Sequence, residues 1–486
     1  MRKLGLIALC LLLAGCVQPE PPVPTDTVTP TPTPARPFTV LTSRAPLTAD
    51  PAAAEKDTDL LIVANVYQRL LRVDAVSKEL KPDAADCLFV SEKKYQCTLI
   101  EGVTFHDGQP VTAKDVQFSI NRALRLSKAA ATNLGFASLR RITTSDDKVV
   151  NFELTGPDNQ FGYALSSPSA SILPAEHFDP DSFLPLETPA VGSGPYKVEE
   201  CSADTVVFSK FADYAGPNTG HLDELVLRVQ DATAAEETLA AGEAEAVWRT
   251  LSDTAIDRIL AGSEDSPKYH RFPLDGQRVT RLMWNTQSEY FADDELREAV
   301  SEAVQGDRTL DSLIPQGIEG YSSAFPKSPA KVKTLKGARK NLTLGYDATA
   351  PGMKDLALVL RDRIEEIGSI SVQVQDRGDT DLQLTDLGAR TNSAGGWLQA
   401  YLDRLPQKST DDVVALVDDW ITRPSSSKEA DVDKEIDAIQ AQAVKDATVL
   451  PISQEDGILI LAEGVTTFDY CFGSGGELGL WGLQHE

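Results

Sequence analysis

Histidine is scarce in this chain, with five in 486 residues, at His106, His177, His221, His270 and His485. None stands in an H-x-x-x-H pair, and neither C-x-x-C nor a P-loop occurs, so a metal centre or nucleotide-phosphate site has no sequence basis and no cofactor is expected. Each histidine reads as structural or exposed. Serine chemistry fails as well. Ser91-Glu92-Lys93-Lys94 and Ser328-Pro329-Ala330-Lys331 spell S-x-x-K but lack the companion S-D-N and K-T-G elements. Gly192-Ser193-Gly194 and Gly473-Ser474-Gly475-Gly476 lack nucleophile-elbow spacing. Asp431-Val432-Asp433 with Asp437 lacks the glycine of a calcium loop. An enzyme is therefore not expected. Positive charge is also short: 46 Lys and Arg face 73 Asp and Glu, a net charge of −27, with no basic run. Such a surface repels phosphate backbones, so no nucleic-acid partner is expected. Past residue 15 no apolar run approaches the ~20 residues of a membrane helix.

What is present begins at the N-terminus. Arg2 and Lys3 precede the apolar run Leu4 to Ala14, and Leu13-Ala14-Gly15-Cys16 follows the bacterial lipobox, in which a peptidase cuts before a cysteine that carries diacylglycerol. Residues 1–15 are read as a lipoprotein signal peptide and Cys16 as the lipidated residue; the alternative is an ordinary secretory signal with an incidental cysteine. Residues 16–37 form a tether, with eight prolines and five threonines between Val17 and Pro37. Proline-rich chain of this kind buries no core and extends at ~3.1 Å per residue, so it spans up to roughly 65 Å. The expected location is the extracytoplasmic face of a cell membrane, in the periplasm or cell-wall space.

Export makes disulfides admissible. Cys10 leaves with the signal, which leaves Cys87, Cys97, Cys201 and Cys471. Cys87-Leu88-Phe89-Val90 and Tyr95-Gln96-Cys97-Thr98-Leu99 read as strands joined by the turn Ser91 to Lys94, which brings Cys87 and Cys97 face to face. Cys201 and Cys471 then pair by elimination. Four buried thiols are the alternative.

A chain of this length exceeds one core of roughly 250–300 residues, so two or three domains are expected. Strand and helix patterns alternate, which indicates α/β layers. Thr112-Ala113-Lys114-Asp115 forms a capping box ahead of a helix carrying Val116, Ile120 and Ala123 through Leu126. Asp293 to Gln305 repeats that pattern. Leu342 to Leu344, a helix started by Pro351 and stopped by Gly368, and Ile370 to Val374 make a βαβ unit, so part of the sheet is parallel.

An ordered series of blocks carries the strongest signal. Asn65-Val66-Tyr67-Gln68-Arg69-Leu70-Leu71, Leu80-Lys81-Pro82-Asp83-Ala84-Ala85 and Gly102-Val103-Thr104-Phe105-His106-Asp107-Gly108 running on to Val116 come first. Ile172 to Phe178, Val191-Gly192-Ser193-Gly194-Pro195-Tyr196, Ala241 to Val247, Leu282-Met283-Trp284-Asn285-Thr286 and Asp293 to Arg308 follow. In this order they resemble the family 5 extracellular solute-binding proteins, the oligopeptide, dipeptide and nickel receptors of bacterial ABC importers. The residues themselves read as turns and capped helices, so they mark the fold and need not touch ligand.

The resemblance implies an α/β, two-lobed, periplasmic-binding-protein-like flytrap fold with an additional domain inserted in the first lobe. Residues 38–63, 186–278 and 446–486 would form lobe I, 64–185 its appended domain and 279–445 lobe II, with a hinge near Gln277 to Arg281 and Ala447 to Ile452. It implies a monomer, anchored by its lipid, that delivers a peptide or other small solute to an ABC permease. Cleft candidates are Arg44, Tyr67, Trp248, Arg249, Trp284, Arg390 and Trp397. Peptide-binding relatives hold the ligand's α-ammonium with an aspartate in the second lobe. That position falls here on Arg390 or Ala400, neither of which holds an ammonium, with Asp386 as a substitute from a neighbouring turn, and the stretch from 380 to 445 is shortened. A second reading is therefore a regulatory or scaffolding lipoprotein of envelope assembly that retains the binding fold.

Overall fold

The computed structural model describes residues 36–262, 266–329, 331–332, 334–386, 388–389, 391–423, 429–468, 471–473 and 476–486. The expected signal peptide, Cys16 and nearly all of the expected tether lie outside the described residues.

A ten-stranded mixed sheet runs through the body. At one end Lys340–Tyr346 lies between Ile370–Asp376 and Leu382–Thr385, parallel to both. At the other, Phe38–Thr42 is parallel to Glu224–Val229 and Ala246–Trp248, and two antiparallel strands, Thr205–Lys210 and Tyr196–Cys201, complete the edge. The two ends share one antiparallel pair, Tyr269–Trp284 with Val449–Ala462. Its ladder has two stretches, 269–274 against 457–462 and 278–283 against 449–455, with a register shift between them. These two strands carry the chain from one hydrophobic core to another: one core runs from Val279 to Ile452, and a second draws on Phe38 to Tyr67, Leu173 to Trp248 and Leu459 to Leu483. A third core, Leu70 to Ile172, surrounds the four-stranded sheet of Ala85–Ser91, Lys94–Leu99, Leu139–Thr144 and Val149–Leu154.

Strand alternation decides which residues enter which core. Val40, Ala246, Trp248, Leu459 and Leu461 face the second core, while their neighbours Leu41, Val247 and Ile460 face a smaller one under the helices Ala232–Ala240 and Asp253–Leu260. Both faces of this part of the sheet are thus covered, as parallel strands require.

Local expectations are met where the chemistry is local. Thr112 accepts the Asp115 N–H and the Asp115 carboxylate accepts the Thr112 N–H at 3.0 Å, which starts the helix Ala113–Leu126 with Val116, Ile120 and Ala123 buried. Asp293 caps Asp294–Ala303. In the βαβ unit the helix runs Met353–Glu365, behind Gly352, not Pro351. Cys87 lies opposite Cys97 in the ladder, and the two are bonded. The pairing by elimination is overturned: Cys201 and Cys471 are buried with no disulfide between them. Cys201 ends an edge strand in the field of Asp59 and Glu187, whereas Cys471 packs on Gly482 and its amide bonds Phe468.

The sequence blocks interlock. Asn65 donates to Leu61 O and Leu478 O and accepts from Leu480 N–H, which ties the helix Asp57–Val66 to the C-terminal segment. The Gln68 side chain and Arg69 N–H both bond Asp83. Gly192 lies so close to this segment that a Cβ there would sit 2.0 Å from Val66 O. His106 accepts the Gly192 N–H at Nδ1 (3.2 Å), which leaves Nε2–H to donate to Gly194 O at 3.1 Å. Protonation would set an N–H against an N–H.

Burial accordingly holds His106 down at about 4 against its ordinary 6.5, with Lys197 adding to the depression. The folded state thus refuses a proton that the unfolded chain takes up between pH 6.5 and about 4. Stability should be full above pH 6.5 and fall by up to about 3 kcal/mol as pH drops through that window. Urea unfolding at several pH values tests this: His106→Gln should flatten the slope in the window, and an unchanged slope would refute the assignment.

Candidate ligand cleft

A cavity of about 310 Å³ separates a wall that includes Pro51, Glu55, Leu60, Ala129 and Ser167 from one that includes Arg281, Met283, Thr385, Gly388, Gln399 and Arg404. Its size is at the lower end of small-ligand sites, which run ~300–1,000 Å³. Alternation along Arg281-Leu282-Met283-Trp284 explains the second wall: Leu282 and Trp284 are fully buried in the core while Arg281 and Met283 line the cavity. Arg281 lies over the Trp397 ring, its Cζ 5.0 Å from the centroid. Arg404 follows the helix Ala394–Leu402 and donates to Trp284 O at 3.1 Å and Ala400 O at 2.9 Å. Burial, and then the like charge of Arg404, push Arg281 down to about 10. Acid enters from both walls, as Glu55 and Asp403, the latter held by Gln399 at 2.8 Å. Gln399 also accepts the Leu134 N–H from the far side at 3.0 Å.

A second cavity of about 220 Å³ lies along the same seam, lined by Arg249, Thr250, Ser252, Arg278, Gly352 and Asp386 among others. An ionic cluster borders it. Arg44 pairs with Asp57, with Asp386 at 2.9 Å and with Asp347 at 3.3 Å; Arg249 reaches the same Asp57 at 2.7 Å, and Arg278 stands 3.9 Å from Asp386. Arg249 adopts φ +49°, a left-handed conformation uncommon outside glycine, directly after the strand that ends at Trp248. Burial alone would raise Asp386, but Arg44, Arg249 and Arg278 together hold it below the ordinary carboxylate range.

Of the residues singled out from sequence, the seam brings together Arg44, Arg249 and Asp386, the last paired with Arg44. Trp248 packs in the second core beside Phe472, centroids 6.2 Å apart, and Trp284 is fully buried in the core that begins at Val279. Tyr67 is buried with its hydroxyl on Ala49 O at 2.9 Å, and Trp397 donates Nε1–H to Asn392 at 2.8 Å. None of these four aromatics lines either cavity. Arg390 lies outside the described residues. Sequence reasoning passed over Asp57, Arg278, Asp347, Arg281 and Arg404; only the last two carried a signal, Arg281 by period-two alternation beside Trp284 and Arg404 by its place one turn beyond Ala400.

Two cores joined by a pair of long strands, with cavities along the seam between them, define a two-lobed solute-binding protein of the flytrap type. The chain belongs to the bacterial extracellular solute-binding proteins, family 5, whose sequence model matches residues 79–426. It is accordingly a binding protein and not an enzyme. It is 25% identical over 355 residues to the probable D,D-dipeptide-binding periplasmic protein of Escherichia coli (strain K12), covering 67% of each chain. It is also 25% identical over 375 residues to heme-binding protein A of Haemophilus influenzae, covering 68% of this chain and 67% of that one. Among solved structures, the dipeptide-binding protein from Pseudoalteromonas sp. SM9913 in complex with Met-Leu superposes with a TM-score of 0.78 at 18% identity, over 93% of this chain and 100% of that one. Among the described residues no helix is long and apolar enough to cross a membrane.

Proposed function

We propose that this protein is the lipid-anchored, extracytoplasmic receptor of an ABC importer, held at the membrane through Cys16 and the tether of residues 16–37 once residues 1–15 are removed. It binds a short peptide or a similar small zwitterion between lobes and presents it to the permease by closing. Lobe I comprises 38–63, 186–278 and 453–486, its appended domain 64–185 and lobe II 279–452, since Ala447, Val449, Leu450 and Ile452 pack in the core that begins at Val279. The hinge is the register shift in the paired strands Tyr269–Trp284 and Val449–Ala462.

The observation that carries this reading is the larger cavity, which offers Arg281 and Arg404 beside Glu55 and Asp403. Guanidinium groups recognise a carboxylate, and carboxylates recognise an ammonium. Ser167, Ser169 and Met283 add uncharged lining to the same cavity. Relatives whose names record dipeptide and oligopeptide binding support the peptide class. Closure follows from differential affinity, because a ligand touching both walls stabilises the closed form.

Native mass spectrometry of gently isolated protein, followed by thermal shift with a panel of short peptides, tests this. A co-purified small molecule or a peptide-dependent rise in melting temperature is expected, with the rise reduced in Arg404→Ala. No bound mass and no shift with any solute would reject the transport reading in favour of a scaffolding one.

A further inference from the structure

The four charged side chains that line the larger cavity among the described residues are not equivalent. Arg281 is 5% exposed and Arg404 is partly buried, whereas Glu55 and Asp403 are exposed. Arg281 stands between Thr385 and Pro451 of the two neighbouring strands, so its side chain leaves the sheet from the middle and not from an edge. Its guanidinium lies over the Trp397 ring at 5.0 Å, and Asn392 fixes that ring through Nε1–H. A ring face attracts a cation without cancelling its charge. Arg404 donates to the main-chain oxygens of Trp284 and Ala400, which orient it and likewise leave its charge in place. The acid that follows Thr385 serves other cations: Asp386 pairs with Arg44 at 2.9 Å, stands 3.9 Å from Arg278 and lines the smaller cavity.

Positive charge is thus concentrated at the buried end of the larger cavity and negative charge at its exposed rim. Burial and the like charge of Arg404 both oppose the Arg281 charge and lower it to about 10, so an anion brought to the pair offsets both. At the rim, water screens Glu55 and Asp403, and an exposed ion pair gains little.

We propose that this cavity selects its ligand by a carboxylate: Arg281 and Arg404 bind that group at the buried end, the ammonium at the rim adds little, and N-acylated dipeptides are accepted nearly as readily as free ones. The inference rests on the reading of the larger cavity as the ligand site. A carboxylate presents only acceptors to the two guanidinium forks, whereas a C-terminal amide carries no charge and brings two N–H donors against donors. Removing the carboxylate is therefore felt at a buried pair, and removing the ammonium only at exposed acids.

Isothermal titration calorimetry with two dipeptides, Ala-Leu and Ala-Phe, each as the free, N-acetylated, C-amidated and doubly blocked form, tests this in the wild type and in Arg281→Met. In the wild type the free and N-acetylated forms should agree within about fivefold. Both amidated forms should bind at least about thirtyfold more weakly, as when one partner of a buried charge pair is lost. Arg281→Met should weaken the free acids and bring acid and amide within about fivefold of each other. Circular dichroism establishes that the variant is folded, and Arg404→Gln, at a less buried position, makes the same comparison if it is not. Free forms that bind with no loss on amidation, or a loss on acetylation equal to that on amidation, would overturn this inference alone. So would a folded Arg281→Met that keeps the full preference for the acid. Binding of no form of either dipeptide would reject the peptide reading of the cavity, and this inference with it.

Discussion

Asp50→Ala should cost about 3–5 kcal/mol of stability, the range for breaking a buried ion pair from one side. Asp50 is 0% exposed and Arg122 1%. Their contact is two-pronged, Nη1 to Oδ1 at 3.0 Å and Nη2 to Oδ2 at 2.5 Å. The carboxylate also accepts Ala52 N–H and Leu184 N–H, and the guanidinium donates to Asp179 O and Ser182 O. One pair thus pins the segment around residue 50, the capped helix Ala113–Leu126 and the loop from 179 to 184. Alanine leaves the Arg122 charge buried and two amides without acceptors, so each loss adds to the next. Arg122→Met should cost a similar amount, and the double variant less than the sum of the two, since the unpaired charge is then gone. Urea unfolding midpoints give all three values. Pro51, Ala54 and Glu55, which line the larger cavity, follow directly on Asp50. Where the Asp50 variant still folds, it should therefore bind solute more weakly.

The same pair shows where sequence reading stops. The Thr112 capping box that starts the Arg122 helix is visible because its partners are three residues apart, and the Cys87 to Cys97 bond because a short hairpin sets its register. Asp50 and Arg122 are 72 residues apart, and Arg44 and Asp386 are 342 apart. No periodicity or cap encodes such meetings; they exist only once several elements have packed. Elimination failed for Cys201 and Cys471 for that reason, since it carries no geometry. Aromatic residues misled in a different way. Trp248 and Trp284 sit on strands whose alternate residues face a core, and large apolar surface goes to that face. Their neighbours take the other face: Val247 and Met283 line the cavities, as does Arg281 two residues further back on that face. The lobed fold was legible through colinear blocks such as Asn65 to Leu71 and Val191 to Tyr196, which interlock in space. The cleft was legible only in part, because its charges come from segments far apart in the chain.

Two adjacent glycines in the cleft wall give the second large effect and a built-in control. Gly395 and Gly396 open the helix Ala394–Leu402, with Ser393 as its cap accepting the Gly396 N–H at 3.2 Å. A Cβ on Gly395 would meet the tip of the Gln160 side chain at 2.6 Å, and that side chain can turn away. A Cβ on Gly396 would sit 2.0 Å from the Thr391 backbone oxygen, and Thr391 is buried. Backbone cannot turn away without moving either the 391–393 turn or the helix itself. Alanine gains helix propensity of about 1 kcal/mol at either position. Gly395→Ala should therefore be close to neutral, while Gly396→Ala should lose about 3 kcal/mol despite that gain. Function should divide the same way. Gln399, Ala400 and Asp403 on or just after this helix line the larger cavity, and a binding site tolerates displacements of only ~0.5 Å. The thermal upshift produced by the best-binding short peptide should survive in Gly395→Ala and fall at least about tenfold in apparent affinity in Gly396→Ala. Equal behaviour of the two variants would mean that the helix start does not shape the cleft, because helix propensity is the same for both and only the buried Thr391 carbonyl tells them apart.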